Sequence, residues 1–152
     1  MGDARWLDEE ELRTWVAFLE ATSLMHRRID VGLRAEGLTM VQYEILTRLL
    51  EARGRRRRMT ELADLLVSSR SGLTYQVSQL EKAGLVTREA CPDDERGVVA
   101  VLTDEGQALL ERAAPSHVRV VREGLIDLLD RDQLRALGEM MSISRTRLRE
   151  LS

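Results

Sequence analysis

One cysteine, two prolines, two histidines and an aromatic content of only 3% set this 152-residue chain apart by what it has little of. Cys91 has no partner for an internal disulfide, which fits a reducing cytoplasm. With a single cysteine and only His26 and His117, zinc bound through cysteine spacing is excluded. So few rings argue against a single-strand binder that stacks bases on a row of aromatics, and against a large aromatic ligand cage. No window approaches the roughly 18 consecutive apolar residues of a membrane span. Met1 to Glu11 is polar and acidic, without the apolar stretch of a secretory signal, so neither a leader nor a membrane partner is expected. Phosphate-binding glycine loops, serine elbows and metal-ligand spacings are missing, and the paired acids sit in caps or turns. No catalytic residue, cofactor or metal is therefore expected.

What is present suits one compact soluble domain, or one core with an added interface: 43% of residues are hydrophobic and 32% charged. That apolar fraction excludes a disordered chain. Net charge is −3, so the molecule is no polycation, but local distribution decides the field. From Arg53 to Lys82 seven basic residues face three acids, Glu61, Asp64 and Glu81, a local +4. That balance favours phosphate contacts and salt-dependent binding.

Periodicity predicts a long helix over residues 8–35, with Leu12, Trp15, Val16, Leu19, Met25, Ile29 and Leu33 on its apolar side. Asp8 caps it, with Glu11 three residues on, and Gly37 stops it. Thr39 caps a second helix carrying Val41, Ile45, Leu46, Leu49 and Leu50, which ends before Gly54. Arg55 to Arg58 and Met59 read as a loop or a very short strand. Thr60 opens a third helix, and Ser68 or Ser69 caps a fourth that runs to about Ala83 and stops at Gly84. So short a connection forces the two to cross sharply, as in a helix-turn-helix. Leu85 to Ala90 and Val98 to Leu102 read as strands joined by a charged turn of about seven residues, a hairpin placed as a wing. Thr103 caps the next helix, with a stripe of Leu109, Leu110, Val118, Val121, Leu125 and Leu128. Pro115 is expected to kink or split it. A last helix starts at Asp130 or Asp132. The fold is therefore mainly α with a small β-hairpin wing: a winged helix-turn-helix over residues 38–103, flanked by dimerisation helices over 1–37 and 104–152. The flanking helices each have an apolar face, and a second copy of the chain is the simplest cover for it.

The fourth helix carries the chemistry. Leu73, Val77 and Leu80 share one face and anchor it. The opposite face holds Ser71, Tyr75, Ser78 and Lys82, flanked by Thr74 and Gln79. A solvated face usually carries Glu and Lys. Hydroxyls, an amide and a phenol are instead donors and acceptors suited to base edges in a major groove, and Arg70 is within reach of a phosphate or a guanine. The wing turn carries Asp93, Asp94, Glu95, Arg96 and Gly97. Its arginine suits a narrow minor groove, with an adjacent Asp holding the guanidinium as a bidentate pair; an acidic turn with an exposed salt bridge reads equally well from these residues alone. The arginine run supplies candidate phosphate contacts, although any single one reads better as solvated. Cys91, beside Pro92 and acids, reads as inert. His26 reads as structural, Trp15 and Tyr43 as core filling, and Met140 and Met141 as interface packing.

Several stretches, in order, resemble the MarR family of winged helix-turn-helix transcription regulators: LTMVQYEILTRL (38–49), MTELADLL (59–66), SRSGLTYQVSQLEKAGLVTRE (69–89), DER (94–96) and VVAVLTDEGQALL (98–110). The resemblance covers about residues 38 to 110. It implies a homodimer on double-stranded DNA, with each recognition helix in a major groove and each wing in a minor groove. It also implies repression of its own or neighbouring genes from a palindromic operator. Release would follow when a small, often phenolic or lipophilic effector binds between the dimer helices and the DNA-binding lobe. The family's recognition helix falls on Ser69 to Lys82 and its Asp-x-Arg wing motif on Asp94 and Arg96. The expected DNA-binding residues are Ser69, Arg70, Ser71, Thr74, Tyr75, Ser78, Gln79, Lys82, Asp94 and Arg96. Glu95 stands where many members have a basic or small residue. The N-terminal cysteine of the peroxide-sensing branch has no counterpart here. A winged fold that binds protein rather than DNA is the alternative; the acidic wing favours it and the recognition-face composition opposes it.

Overall fold

The computed structural model describes residues 5–66 and 70–151. Helix α1 (Glu9–Ala35) begins where Asp8 accepts from the Glu11 N–H while the Glu11 side chain accepts from the Asp8 N–H. This reciprocal cap satisfies two otherwise orphaned donors. The chain leaves α1 through Gly37 at φ 79°, with the Gly37 N–H donating to the Arg34 carbonyl and the Leu38 N–H to the Leu33 carbonyl, each at 3.0 Å. Only glycine enters that left-handed region without steric cost. Thr39 and Gln42 repeat the reciprocal cap at α2 (Met40–Leu50). Beyond α2, a 3₁₀ turn over Arg53–Arg55 leads into strand β1 (Arg56–Arg58), helix α3 (Met59–Leu66) and helix α4 (Arg70–Lys82). The expected caps Ser68 and Ser69 lie outside the described residues.

Strands β2 (Val86–Cys91) and β3 (Asp94–Leu102) form the wing. The sheet is not the expected two-stranded hairpin. Three of the four arginines add a third antiparallel strand, in the order β1-β3-β2, with Arg56, Arg57 and Arg58 opposite Val101, Ala100 and Val99. Nor is the wing turn seven residues long. A bulge at Ala90/Cys91 brings Cys91 opposite Asp94, so Asp94, Glu95 and Arg96 belong to a strand and only Pro92 and Asp93 turn the chain. Glu95, Arg96 and Gly97 have no opposite residue in β2, and the ladder resumes beyond them because such an irregularity re-aims pairing without ending it.

Helix α5 (Asp104–Gly124) is capped by Thr103, whose hydroxyl accepts from the Gly106 N–H. It runs unbroken through Pro115. The expected split does not occur, since proline removes a single ladder bond and α1 packs along the part of α5 that follows it: Gly32 lies against Ser116, and Met25 against Gly124. The helix ends instead at Leu125, and Leu128 falls in a 3₁₀ turn (Ile126–Leu128), where it is exposed rather than part of the stripe. Asp130, and not Asp132, caps α6 (Arg131–Glu150).

The core gathers Ile29 and Leu33 of α1, Ile45, Leu46 and Leu49 of α2, Leu62 of α3, Leu73, Val77 and Leu80 of α4, Val86, Ala100 and Leu102 of the sheet, and Leu109, Leu110 and Ala113 of α5. One backbone contact locks the sheet to α5. A Cβ built on Gly106 would lie 2.2 Å from the Leu85 carbonyl oxygen and 2.7 Å from Leu102 Cδ1. Gly106→Ala should therefore destabilise the chain by about 1–3 kcal/mol, because neither the carbonyl nor the buried leucine can yield freely. A fall of several degrees in Tm checks this; an unchanged Tm would contradict the packing described.

Helix α6 contributes no buried residue. Trp15 is 49% exposed and stacks on Phe18 with ring centroids 5.8 Å apart. It does not fill the core of the protomer as the sequence suggested. Tyr43 packs on the core and against His117, centroids 4.7 Å apart. Burial raises the Tyr43 phenol above its ordinary pKa and lowers the His117 imidazole below its own. His26 is exposed on α1, and Cys91 is buried. Among the described residues no helix is long and apolar enough to cross a membrane.

Candidate nucleic-acid interface

Helix α4 separates its faces as its spacing dictates. Leu73, Val77 and Leu80 are at most 1% exposed and hold the helix against the core. The other side offers Ser71, Thr74, Tyr75 and Lys82 to solvent, with Ser78 and Gln79 half-buried at its margin. Tyr75 is 61% exposed, a large phenol left open to solvent. Arg70 opens the helix; Ser69 lies outside the described residues. The helix leaves through Gly84 at φ 76°, where the Leu85 N–H donates to the Leu80 carbonyl at 2.9 Å. This fixes the angle at which β2 departs toward the wing.

Helix α4 is also fastened to the wing by a pair that sequence reasoning did not find. The Glu81 carboxylate accepts from the Arg88 main-chain N–H at 3.0 Å, from Nε at 3.3 Å and from Nη2 at 3.0 Å. These hydrogen bonds hold the Glu81 carboxyl below the usual carboxylate range and raise the Arg88 guanidinium. Seven residues and a turn separate the partners, so no periodic signal marks them.

At the wing, Asp94 Oδ1 accepts from the main-chain N–H of Arg96 at 3.0 Å. The expected bidentate pair with the guanidinium is not what forms. A carboxylate two residues upstream reaches the backbone more readily than the far end of its neighbour's side chain. Asp94 therefore shapes the strand, and Arg96 remains an exposed residue. Between wing and α4 lies a cleft of about 240 Å³ lined by Arg58, Thr60, Thr74, Arg88, Asp94 and Arg96, among others. Among the described residues, no group of His, Cys, Asp and Glu is placed to hold a metal ion.

Comparison with known proteins gives this arrangement its family. A model described as the MarR family matches residues 38–98. The crystal structure of Sco3205, a MarR family transcriptional regulator from Streptomyces coelicolor solved in complex with DNA, is 44% identical. It superposes with a TM-score of 0.90 over 93% of this chain and 89% of that one. The chain belongs to the MarR family. A second MarR family regulator from the same organism, AbsC, is 39% identical with a TM-score of 0.93, covering 97% of this chain and 99% of that one. The HTH-type transcriptional regulator MhqR of Bacillus subtilis is 24% identical over 135 residues, 89% of this chain and 91% of that protein. The three-stranded sheet, the α3–α4 pair and the flanking helices are thus the winged helix architecture of the MarR family.

Proposed function

We propose that this MarR family member is a sequence-specific, double-stranded-DNA-binding transcriptional regulator, not an enzyme, that acts in the cytoplasm as a homodimer on a palindromic operator, most simply as a repressor. The observation that carries the reading is the exposed face of α4. It is built of hydroxyls, an amide and a phenol, and stands beside an exposed wing arginine in a chain 44% identical to a relative solved in complex with DNA. Ser71, Thr74, Tyr75, Ser78 and Gln79 read base edges or nearby phosphates. Lys82 and the N-terminal Ser69 and Arg70 position the backbone, Arg96 enters the minor groove, and Asp94 shapes the strand beneath it.

The dimer rests on the uncovered apolar faces of α1, α5 and α6. Leu12, Trp15, Leu19, Val118, Met140 and Ile143 are all exposed in the protomer, and a solitary 20-residue helix that buries nothing is marginal in water. Charge complements this: Asp8 and the first turn of α1, Glu9, Glu10 and Glu11, are acidic, while α6 ends with Arg145, Arg147 and Arg149. Residues 1–37 and 104–152 then serve dimerisation and 38–103 serves DNA. A small phenolic or lipophilic effector would release DNA only by favouring a dimer whose recognition helices are wrongly separated.

Selection of bound sequences from random duplex DNA tests the reading. An enriched palindrome, with half-sites about ten base pairs apart, is expected from a two-fold dimer. No enrichment from an intact dimer would overturn it in favour of a winged fold serving protein contacts.

A further inference from the structure

The fold treats four consecutive arginines unequally. Arg55 Nη1 donates to Asp104 Oδ1 at 2.8 Å and to Gln107 Oε1 at 2.9 Å, tying the turn to the start of α5. Arg56 Nη2 donates to Glu89 Oε2 at 2.6 Å across the sheet. Arg57 Nε donates to the Arg48 carbonyl at 2.9 Å, on α2. The Arg58 side chain alone of the four has no hydrogen-bond or ion-pair partner among the described residues. It belongs to the cleft between α4 and the wing, shared with Thr60 at the start of α3, Thr74 of the recognition helix, Arg88, Asp94 and Arg96.

The charges in that cleft nearly sort themselves. Arg88 is matched by Glu81 at 3.0 Å. Asp94 offsets one more cation. Arg58 and Arg96 leave an excess of one positive charge.

Duplex geometry says what must lie there. The major groove and the neighbouring minor groove of B-DNA are separated by one sugar-phosphate strand. A protein with α4 in the first and its wing in the second has to pass that strand along the seam between them. Phosphate contacts of this kind fix register without reading sequence.

We propose that Arg58 is the phosphate-binding residue of this seam, contacting the backbone strand that runs between recognition helix and wing. The inference rests on the DNA-binding reading above. It goes beyond that reading in separating Arg58 from its three neighbours, which the protein uses for its own structure.

The test compares the full-length chain with Arg58→Ala, Arg58→Lys and Arg56→Ala, using fluorescence anisotropy on the selected operator duplex and on a scrambled duplex over a severalfold range of salt. Each phosphate contact contributes close to one unit to the slope of log affinity against log salt. Arg58→Ala should make the slope shallower by about two for a dimer, one contact per protomer. It should weaken both duplexes by the same factor. Arg58→Lys should keep the slope, since an ammonium also pairs with a phosphate, and Arg56→Ala should match the unmodified chain. Truncating Arg58 removes no internal hydrogen bond, and an unchanged Tm verifies the fold; if the alanine variant melts early, Arg58→Gln replaces it. An unaltered slope with normal operator binding overturns the role of Arg58 alone. A loss confined to the operator overturns it too, because it would mark a base contact. Failure of the unmodified chain to bind any duplex overturns the DNA reading and this inference with it.

Discussion

Replacing Arg96 with alanine is expected to weaken operator binding about tenfold per wing, or about a hundredfold for the dimer. A well-placed arginine contact with DNA is worth about 1–3 kcal/mol, and two-fold symmetry uses it twice. The structure favours so clean a loss. Asp94 is engaged with the Arg96 main chain at 3.0 Å, and that bond persists when the side chain is removed. Strand β3 should keep its register, the dimer its mass and the chain its Tm. Only the cation offered to the minor groove disappears, and narrow A-tract grooves concentrate the negative potential that attracts it. Anisotropy with the selected operator measures the change. Unaltered affinity would mean that the wing does not enter a groove, and the acidic residues Asp93 and Glu95 would then describe it better.

The parts of this fold that sequence reveals are those decided within a few residues. Asp8, Thr39 and Asp130 each cap a helix with a partner three residues on, and the Gly37 and Gly84 exits follow from backbone sterics. The anchoring face of α4 follows from helical spacing alone, and its polar face is legible for the same reason. What escaped the sequence was set at a distance. Three arginines make a poor strand by propensity. They form β1 because β3 presents an edge to pair with and because Arg55 and Arg56 find acids 49 and 33 positions away. The wing turn shortened because pairing resumes after a bulge, and the paired acids carry no mark of that in their composition. Glu81 and Arg88 meet only once Gly84 has reversed the chain. Trp15 reads as core from its spacing, and its face is indeed apolar. Among the described residues it stays 49% exposed, because the spacing that suits a core suits an interface equally well.

That face leads to the largest effect expected of any substitution here. Met141→Glu combined with Ile143→Glu should convert the proposed dimer to a monomer of 17.3 kDa while sparing the proposed DNA-binding lobe. The two positions are about 200° apart around α6, so between them they poison either side of the helix that a partner covers. In the protomer both are exposed, Ile143 at 72%, and a carboxylate there stays in water and costs the fold little. In a dimer the same carboxylates would be driven into an apolar seam, a costly desolvation repeated in two copies. Separation removes the second half-site. Its benefit is one of effective concentration, so operator affinity should fall about a hundredfold to ten-thousandfold. Residual binding to a single half-site should be unaffected, because α4 and the wing lie on another part of the chain from α6. Sedimentation and anisotropy read the two effects separately. A variant that stays dimeric would show that α1 and α5 hold the copies together without α6. A monomer that still binds the full operator tightly would mean that the two recognition helices do not act as a pair.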